Sequence, residues 1–186
     1  MDIARKMLMR QILDAAVNVL YTYSAHWVIV NRLKCIQTVI KITQICLLAL
    51  TTGGFLTSVI TDIPWLNWVG GIASAVALGL HLYSLNFNLP SDIKNHTDAA
   101  NELWDVREAY KALITDYHEL TNEEIRAKRD YVTRVVSKIN KEYPGTDSKA
   151  FAKAQKNMKN YMFELGESAR VLNVEIEDNI EIVDRL

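Results

Sequence analysis

Charged side chains are missing from two long stretches of this sequence. Residues 42–61 contain no Asp, Glu, Lys or Arg, residues 63–91 contain none either, and Asp62 alone separates them. A helix needs about 20 mainly apolar residues to cross a hydrocarbon core of ~30 Å, and both stretches are that long. Between them, Thr61, Asp62, Ile63 and Pro64 combine a charge, a β-branched residue and a helix breaker, the composition of a tight reversal. The pair reads as a two-pass membrane hairpin, with helices at about 40–61 and 64–88.

Other absences narrow the function. No Gly or Pro occurs before Gly53, so nothing stops a helix in residues 1–35 from running straight into the first membrane helix. The two cysteines, Cys35 and Cys46, lie too far apart along one helix to bridge, and they read as small apolar residues. There is no phosphate loop, no Cys/His metal spacing, no nucleophile elbow and no set of dinucleotide glycines. The four histidines include no i,i+4 pair, and the carboxylates fall on ordinary amphipathic helices. No constellation meets the requirements of an active site, so neither catalysis nor a metal or cofactor is expected. The first residues do not read as a secretory signal, since Gln11, Asp14 and Asn18 occupy what would be its apolar core, and no lipidation motif is visible.

What the membrane stretches do contain is patterned polarity. Gln37, Gln44, Thr51 and Ser58 recur every seven residues on the first helix, and Asn67, Ser74, His81 and Asn88 do so on the second. A seven-residue spacing holds a position on nearly one helix face. Lys41 and Asp62 lie on the first stripe near its ends. Polar groups facing lipid raise the free energy unless paired or wetted, so both stripes are expected to turn away from lipid. Either they face each other and hold the hairpin together, or at least one faces a shared channel. The longer side chains of Gln37, Lys41 and Gln44 point to water at the first stripe, and Ser74 with His81 to packing or a gate at the second. His81 is at once a candidate functional group and a neutral imidazole bonded across the hairpin. Small residues mark sites of close helix packing: Gly53 and Gly54 on the first helix, Gly70 and the Gly71–Ala75–Gly79 ridge on the second. That ridge suits packing within the hairpin or between protomers.

The flanks carry the charge. Residues 1–41 hold six Lys/Arg against two acids, and residues 90–186 hold 15 against 19. Arg32, Lys34, Lys41 and Lys94 flank the hairpin, whereas its turn has no basic residue, which predicts that both termini are cytoplasmic. Upstream, Ile3, Met7, Ile12, Ala16, Val19 and Tyr23 fall at helical spacing, and His26, Trp27 and Arg32 suit the headgroup zone. Downstream, residues 91–166 read as a cytoplasmic helical bundle. Ala99, Leu103, Val106, Tyr110, Leu113 and Tyr117 share one face, and Thr121 to Glu124 form a capping box. The next helix carries Ile125, Val132, Val136 and Ile139 and stops at Pro144-Gly145. A third starts near Ser148 with Phe151, Ala154, Met158, Tyr161 and Leu165, and Gly166 suits its C-terminal cap. Lys149, Lys153 and Lys156 line one face of that helix. They suit a solvated surface, an anionic headgroup, a nucleotide or nucleic acid, or the acidic tail over 167–186. No aromatic side chains interleave with them, so direct nucleic-acid binding is not expected.

The order and wording of these segments resemble a known family. YSAHWVIVNRL (23–33), the two membrane helices, HTDAANELWDVREAYKALITD (96–116), EEIRAKRD (123–130) and PGTDSKAFAKAQKNMKN (144–160) look like the SLATT family of two-transmembrane domains from bacterial nucleotide-dependent conflict systems. The resemblance covers about residues 20–160 and fades after Asn160, where EIEDNIEIVDRL replaces the usual ending. It implies an antiviral effector of the bacterial inner membrane that oligomerises into a pore, or disrupts the membrane, when triggered. The trigger would be a nucleotide or a neighbouring enzyme such as a nucleotidyltransferase or reverse transcriptase. The alternative is a non-conducting, membrane-anchored module that holds a soluble partner. His96, Glu102, Trp104 and Arg107 are carried over as a candidate signal-receiving patch. An intramolecular Glu102–Arg107 pair beside a buried Trp104 is the plainer reading.

Overall fold

The structure is a computed structural model that describes residues 3–61, 65–86 and 88–158. Expectations for the reversal at 62–64, for Tyr161, Leu165 and Gly166, and for the tail from 167 fall outside those residues. Among the described residues every regular element is helical and none is a strand. Helix α1 spans Ile3–Thr61, α2 Trp65–Asn86, α3 Leu89–Thr115 and α4 Asn122–Glu142, with a 3-10 turn at Asp116–His118 and helix again over 148–158. With no Gly or Pro before Gly53 to break it, α1 runs without interruption for 59 residues.

Among the described residues, those up to 28 and from 99 form one compact unit, and those between 29 and 98 form another. The first is a helical bundle. Its core joins Leu8, Ile12 and Val19 of α1 to Leu103, Val106, Tyr110 and Leu113 of α3, to Tyr117, and to Ile125, Val132 and Ile139 of α4. The face expected of residues 99–117 is therefore the buried one, whereas that of early α1 is displaced. Ile3 and Met7 are 75% and 69% exposed, and Leu8 is buried in their place. Neighbouring helical residues point about 100° apart, so moving one position changes which side chain meets α3 and α4. His26 is buried, Trp27 is half-buried and Arg32 is exposed, so Arg32 alone of the three fits a place among headgroups.

Local chemistry sets the ends of these helices. Thr121 caps α4 by accepting from the Glu124 N–H, and the Glu124 carboxylate accepts from the Thr121 N–H at 2.8 Å. The Glu124 carboxyl is held below its ordinary pKa first by the bond from the Thr121 backbone, then by one that the Thr121 hydroxyl donates to it at 2.7 Å. Tyr143 is extended, as a residue before proline must be, and ends α4. Asp147 then caps the helix over 148–158 by accepting from the Ala150 N–H at 2.7 Å. Arg5 joins the start of α1 to the α3–α4 connection. Its guanidinium donates to the carbonyls of Tyr117 (2.6 Å) and Leu120 (2.8 Å) and lies 5.1 Å from the centre of the Tyr117 ring. The Tyr117 hydroxyl donates back to the Arg5 carbonyl.

Candidate functional site: a membrane-length hairpin and a patch on the helical bundle

Helices α1 and α2 are each long and apolar enough to cross a membrane. Within the unit of residues 29–98, burial follows one rule on both. On α1 the half-buried residues from 33 to 54 are Leu33, Gln37, Ile40, Gln44, Leu47, Thr51 and Gly54, and those between them are exposed. On α2 the inward residues are Gly70, Ala73, Ala77, Leu80 and Ser84. Spacings of three and four alternate throughout, the mark of a two-helix seam. The first polar stripe thus supplies every second seam position of α1, where it meets small and apolar α2 residues.

The second stripe is placed differently. Asn67, Ser74 and His81 are exposed, and Ser74 and His81 flank the seam one position along from its inward residues Ala73 and Leu80. Burial therefore runs opposite to the expectation that the first stripe meets water and the second is packed. Lys41 is exposed beside the seam, and nothing is described for the Ser58 side chain. Asn88 lies beyond the end of α2, where its carboxamide oxygen accepts from the Ser91 N–H at 3.4 Å. That contact caps α3, which begins at Leu89 with Pro90 tolerated in its first turn.

Hydroxyls along the hairpin bond to their own helix. Thr51 donates to the Leu48 carbonyl at 2.9 Å, and Ser84 to that of His81 at 2.8 Å. Gln44 differs, because its amide nitrogen is buried without a partner among the described residues. The glycines expected at close contacts are not pressed by neighbours. A methyl added to Gly53, Gly54, Gly70, Gly71 or Gly79 would meet nothing within 4 Å. Gly71, Ala75 and Gly79 are exposed on the side of α2 facing away from the seam, so the hairpin does not use that ridge.

The patch proposed on α3 divides. Glu102 and Arg107 do not pair: Glu102 accepts from the Tyr143 hydroxyl at 2.5 Å, while Arg107 donates to Glu108 at 2.7 Å. Trp104 is 44% exposed rather than buried, with Arg107 4.5 Å from its ring centre and Tyr23 at 5.5 Å. Glu102 and Trp104, two residues apart on a helix, point to nearly opposite sides. His96 is buried and belongs to the hairpin unit. Trp104, Arg107 and Tyr23 therefore form the accessible cluster. Lys149, Lys153 and Lys156 are exposed, and Ala150 and Ala154 of the same helix are buried. Among the described residues no group of three His, Cys, Asp or Glu could hold a metal ion.

Sequence periodicity located both stripes but missed the α2 seam, because its members are small and carry little hydrophobic contrast. Their alternating spacing from Gly70 to Ser84 was the available signal. No curated protein and no solved structure matches the chain. A family model does match, over residues 8–164, and it is described as the SMODS and SLOG-associating 2TM effector domain family 4. With most of the sequence matched and two membrane-length helices in place, the chain belongs to that family of two-transmembrane effector domains.

Proposed function

We propose that this chain is the membrane effector of a bacterial antiviral defence system. It sits in the inner membrane with both termini in the cytoplasm and assembles with copies of itself to form a pore or otherwise breach the bilayer. It acts without catalysis, on a signal from a neighbouring enzyme, such as a nucleotidyltransferase or reverse transcriptase, or from a nucleotide. One observation carries the reading: α2 keeps Asn67, Ser74 and His81 on its exposed surface, while the matching stripe of α1 lies in the seam. Polar groups left toward lipid are costly, and a single hairpin encloses no channel. Several hairpins that turn this stripe to a common axis remove the cost and create a wet path. The outward ridge of Gly71, Ala75 and Gly79 offers a surface for close approach by the next protomer.

Dye leakage from liposomes holding the full chain tests the stripe. Ser74→Leu/His81→Leu is expected to abolish leakage, and Gln37→Leu/Thr51→Val to leave most of it; equal leakage from the two sinks the assignment. Gly71→Ile tests the ridge through the mass of the detergent-solubilised particle. A methyl there meets nothing within the protomer, so a drop in mass reports lost assembly rather than a damaged hairpin. The accessible Trp104–Arg107 stack favours a second reading, a non-conducting anchor that holds a soluble partner. That reading predicts a monomer or dimer and no leakage from any variant.

A further inference from the structure

The two polar stripes are mirror images about the turn. Gln44 and His81, Thr51 and Ser74, and Ser58 and Asn67 are pairs whose members stand equally far along the chain from the Asp62–Ile63 bond. Helix α1 ends at Thr61 and α2 begins at Trp65, on either side of that bond. In an antiparallel hairpin reversed at that point, equidistant residues stand level. Each polar group of one stripe therefore has a polar counterpart at its own depth in the other. Gln37 and Asn88 continue the series, although Asn88 caps α3 from beyond the end of α2.

The described packing does not bring these counterparts together. Gln44 and Thr51 lie half-buried in the seam while Ser74 and His81 are exposed beside it. Gly70, Ala73, Ala77 and Leu80 fill the α2 side and offer no side-chain hydrogen bond to Gln44, whose amide nitrogen stays buried and unpartnered. Ser84 also faces inward, but its hydroxyl donates to the His81 carbonyl. Helix α2 holds a second set with the same alternation of three and four: Gly70, Ser74, Ala77, His81 and Ser84. It shares Gly70, Ala77 and Ser84 with the described seam and exchanges Ala73 and Leu80 for Ser74 and His81. Adjacent helical positions lie about 100° apart, so moving the seam by half a position takes a turn of about 50°. Small residues oppose such a turn weakly, and Gly70 has open space where a side chain would begin.

We infer that the hairpin has a second, silent packing, reached when α2 turns about its own axis, in which His81 and Ser74 enter the seam and meet Gln44 and Thr51 rung by rung. The inference rests on the pore reading above. With the stripe outward the protomer can line a shared axis, and with the stripe inward its polar groups are answered within one hairpin and lipid meets an apolar surface. Two packings that share most of their seam residues make a two-state element, which a signal arriving at the bundle can bias.

Cysteine pairs in the full chain, in liposomes and in a Cys35→Ser/Cys46→Ser background, test this. Thr51→Cys/Ala73→Cys reports the described seam, and Thr51→Cys/Ser74→Cys reports the silent one. The two α2 positions differ by one residue in height but by about 100° in direction. Under mild oxidant both pairs are expected to form intramolecular disulfides. Oxidising the Ser74 pair should lower leakage below that of the same variant held in reductant, whatever that reduced level is, whereas the Ala73 pair should leak equally oxidised and reduced. The proposal is overturned if the Ser74 pair forms no intramolecular disulfide where the Ala73 pair does. It is overturned equally if the Ser74 disulfide forms and leakage stays at the reduced level. Should the Ser74 disulfide form while even the unmodified chain never leaks, the pore reading fails and the second packing stands.

Discussion

Replacing Arg5 with alanine should loosen the whole bundle although the side chain is only half-buried. Its guanidinium holds two carbonyls, of Tyr117 at 2.6 Å and Leu120 at 2.8 Å, where α3 gives way to α4. Hydrogen bonds to a charged group contribute about 1.5–3 kcal/mol each when sheltered, and water can reach these carbonyls once the arginine is gone. The partial replacement by water brings the pair to about 2 kcal/mol, and loss of the ring contact at 5.1 Å adds about 0.5 kcal/mol. The contact with the Asn122 carboxamide at 3.4 Å is too long to add much. For a unit of on the order of 100 residues, ~2.5 kcal/mol lowers the melting midpoint by about 10–15 °C. With a urea slope near 2 kcal/mol/M, it lowers the urea midpoint by about 1 M.

The assay is urea unfolding of the detergent-solubilised chain followed by tryptophan fluorescence, with Trp65→Phe and Trp68→Phe to silence the exposed hairpin tryptophans. Trp104, packed on Tyr23, and Trp27, in the same unit, then report the bundle. Arg5→Lys keeps the charge but not the planar fork, and it should recover less than half of the loss. A shift below about 0.5 kcal/mol for Arg5→Ala, the range of ordinary surface substitutions, would refute the reasoning.

Two further outcomes follow from the bundle. Ile12, fully buried, should cost about 2–4 kcal/mol on truncation to alanine, whereas Met7→Ala should lie within about 0.5 kcal/mol of the unmodified chain; comparable urea midpoints for the two would mean that the assigned face of α1 is wrong. Glu124 has a carboxyl pKa lowered by its bonds to Thr121, so its contribution to stability is present above the unfolded carboxylate pKa and is lost as pH falls through the lowered folded value. Unfolding midpoints measured from pH 6 down to pH 3 should therefore fall less steeply in Thr121→Ala than in the unmodified chain, and parallel curves would refute that origin.

Much of this architecture is written along single helices, and there the sequence is a sufficient guide. The capping box at Thr121 and Glu124, the stop before Pro144-Gly145, the buried face from Ala99 to Tyr117 and the membrane length of α1 and α2 each depend on residues within a few positions of one another. Asn88 shows where that guide slips. Its seven-residue spacing joined it to the α2 stripe, but the N–H groups opening α3 claim its side chain, and a local cap outranks a distant period. Glu102 and Arg107 show the same for pairing, since a tyrosine 41 residues away and an adjacent glutamate are the partners they find.

By itself, the sequence determined that the chain is helical, that two helices are long and apolar enough for a bilayer, that each bears a polar stripe, and to which family it belongs. Only the tertiary structure decided which way those stripes turn. A period is a property of one helix and is unchanged when that helix rotates about its axis. The rotation is chosen by the surface it packs against, and on α2 the small residues from Gly70 to Ser84 meet α1 while Ser74 and His81 stay outside.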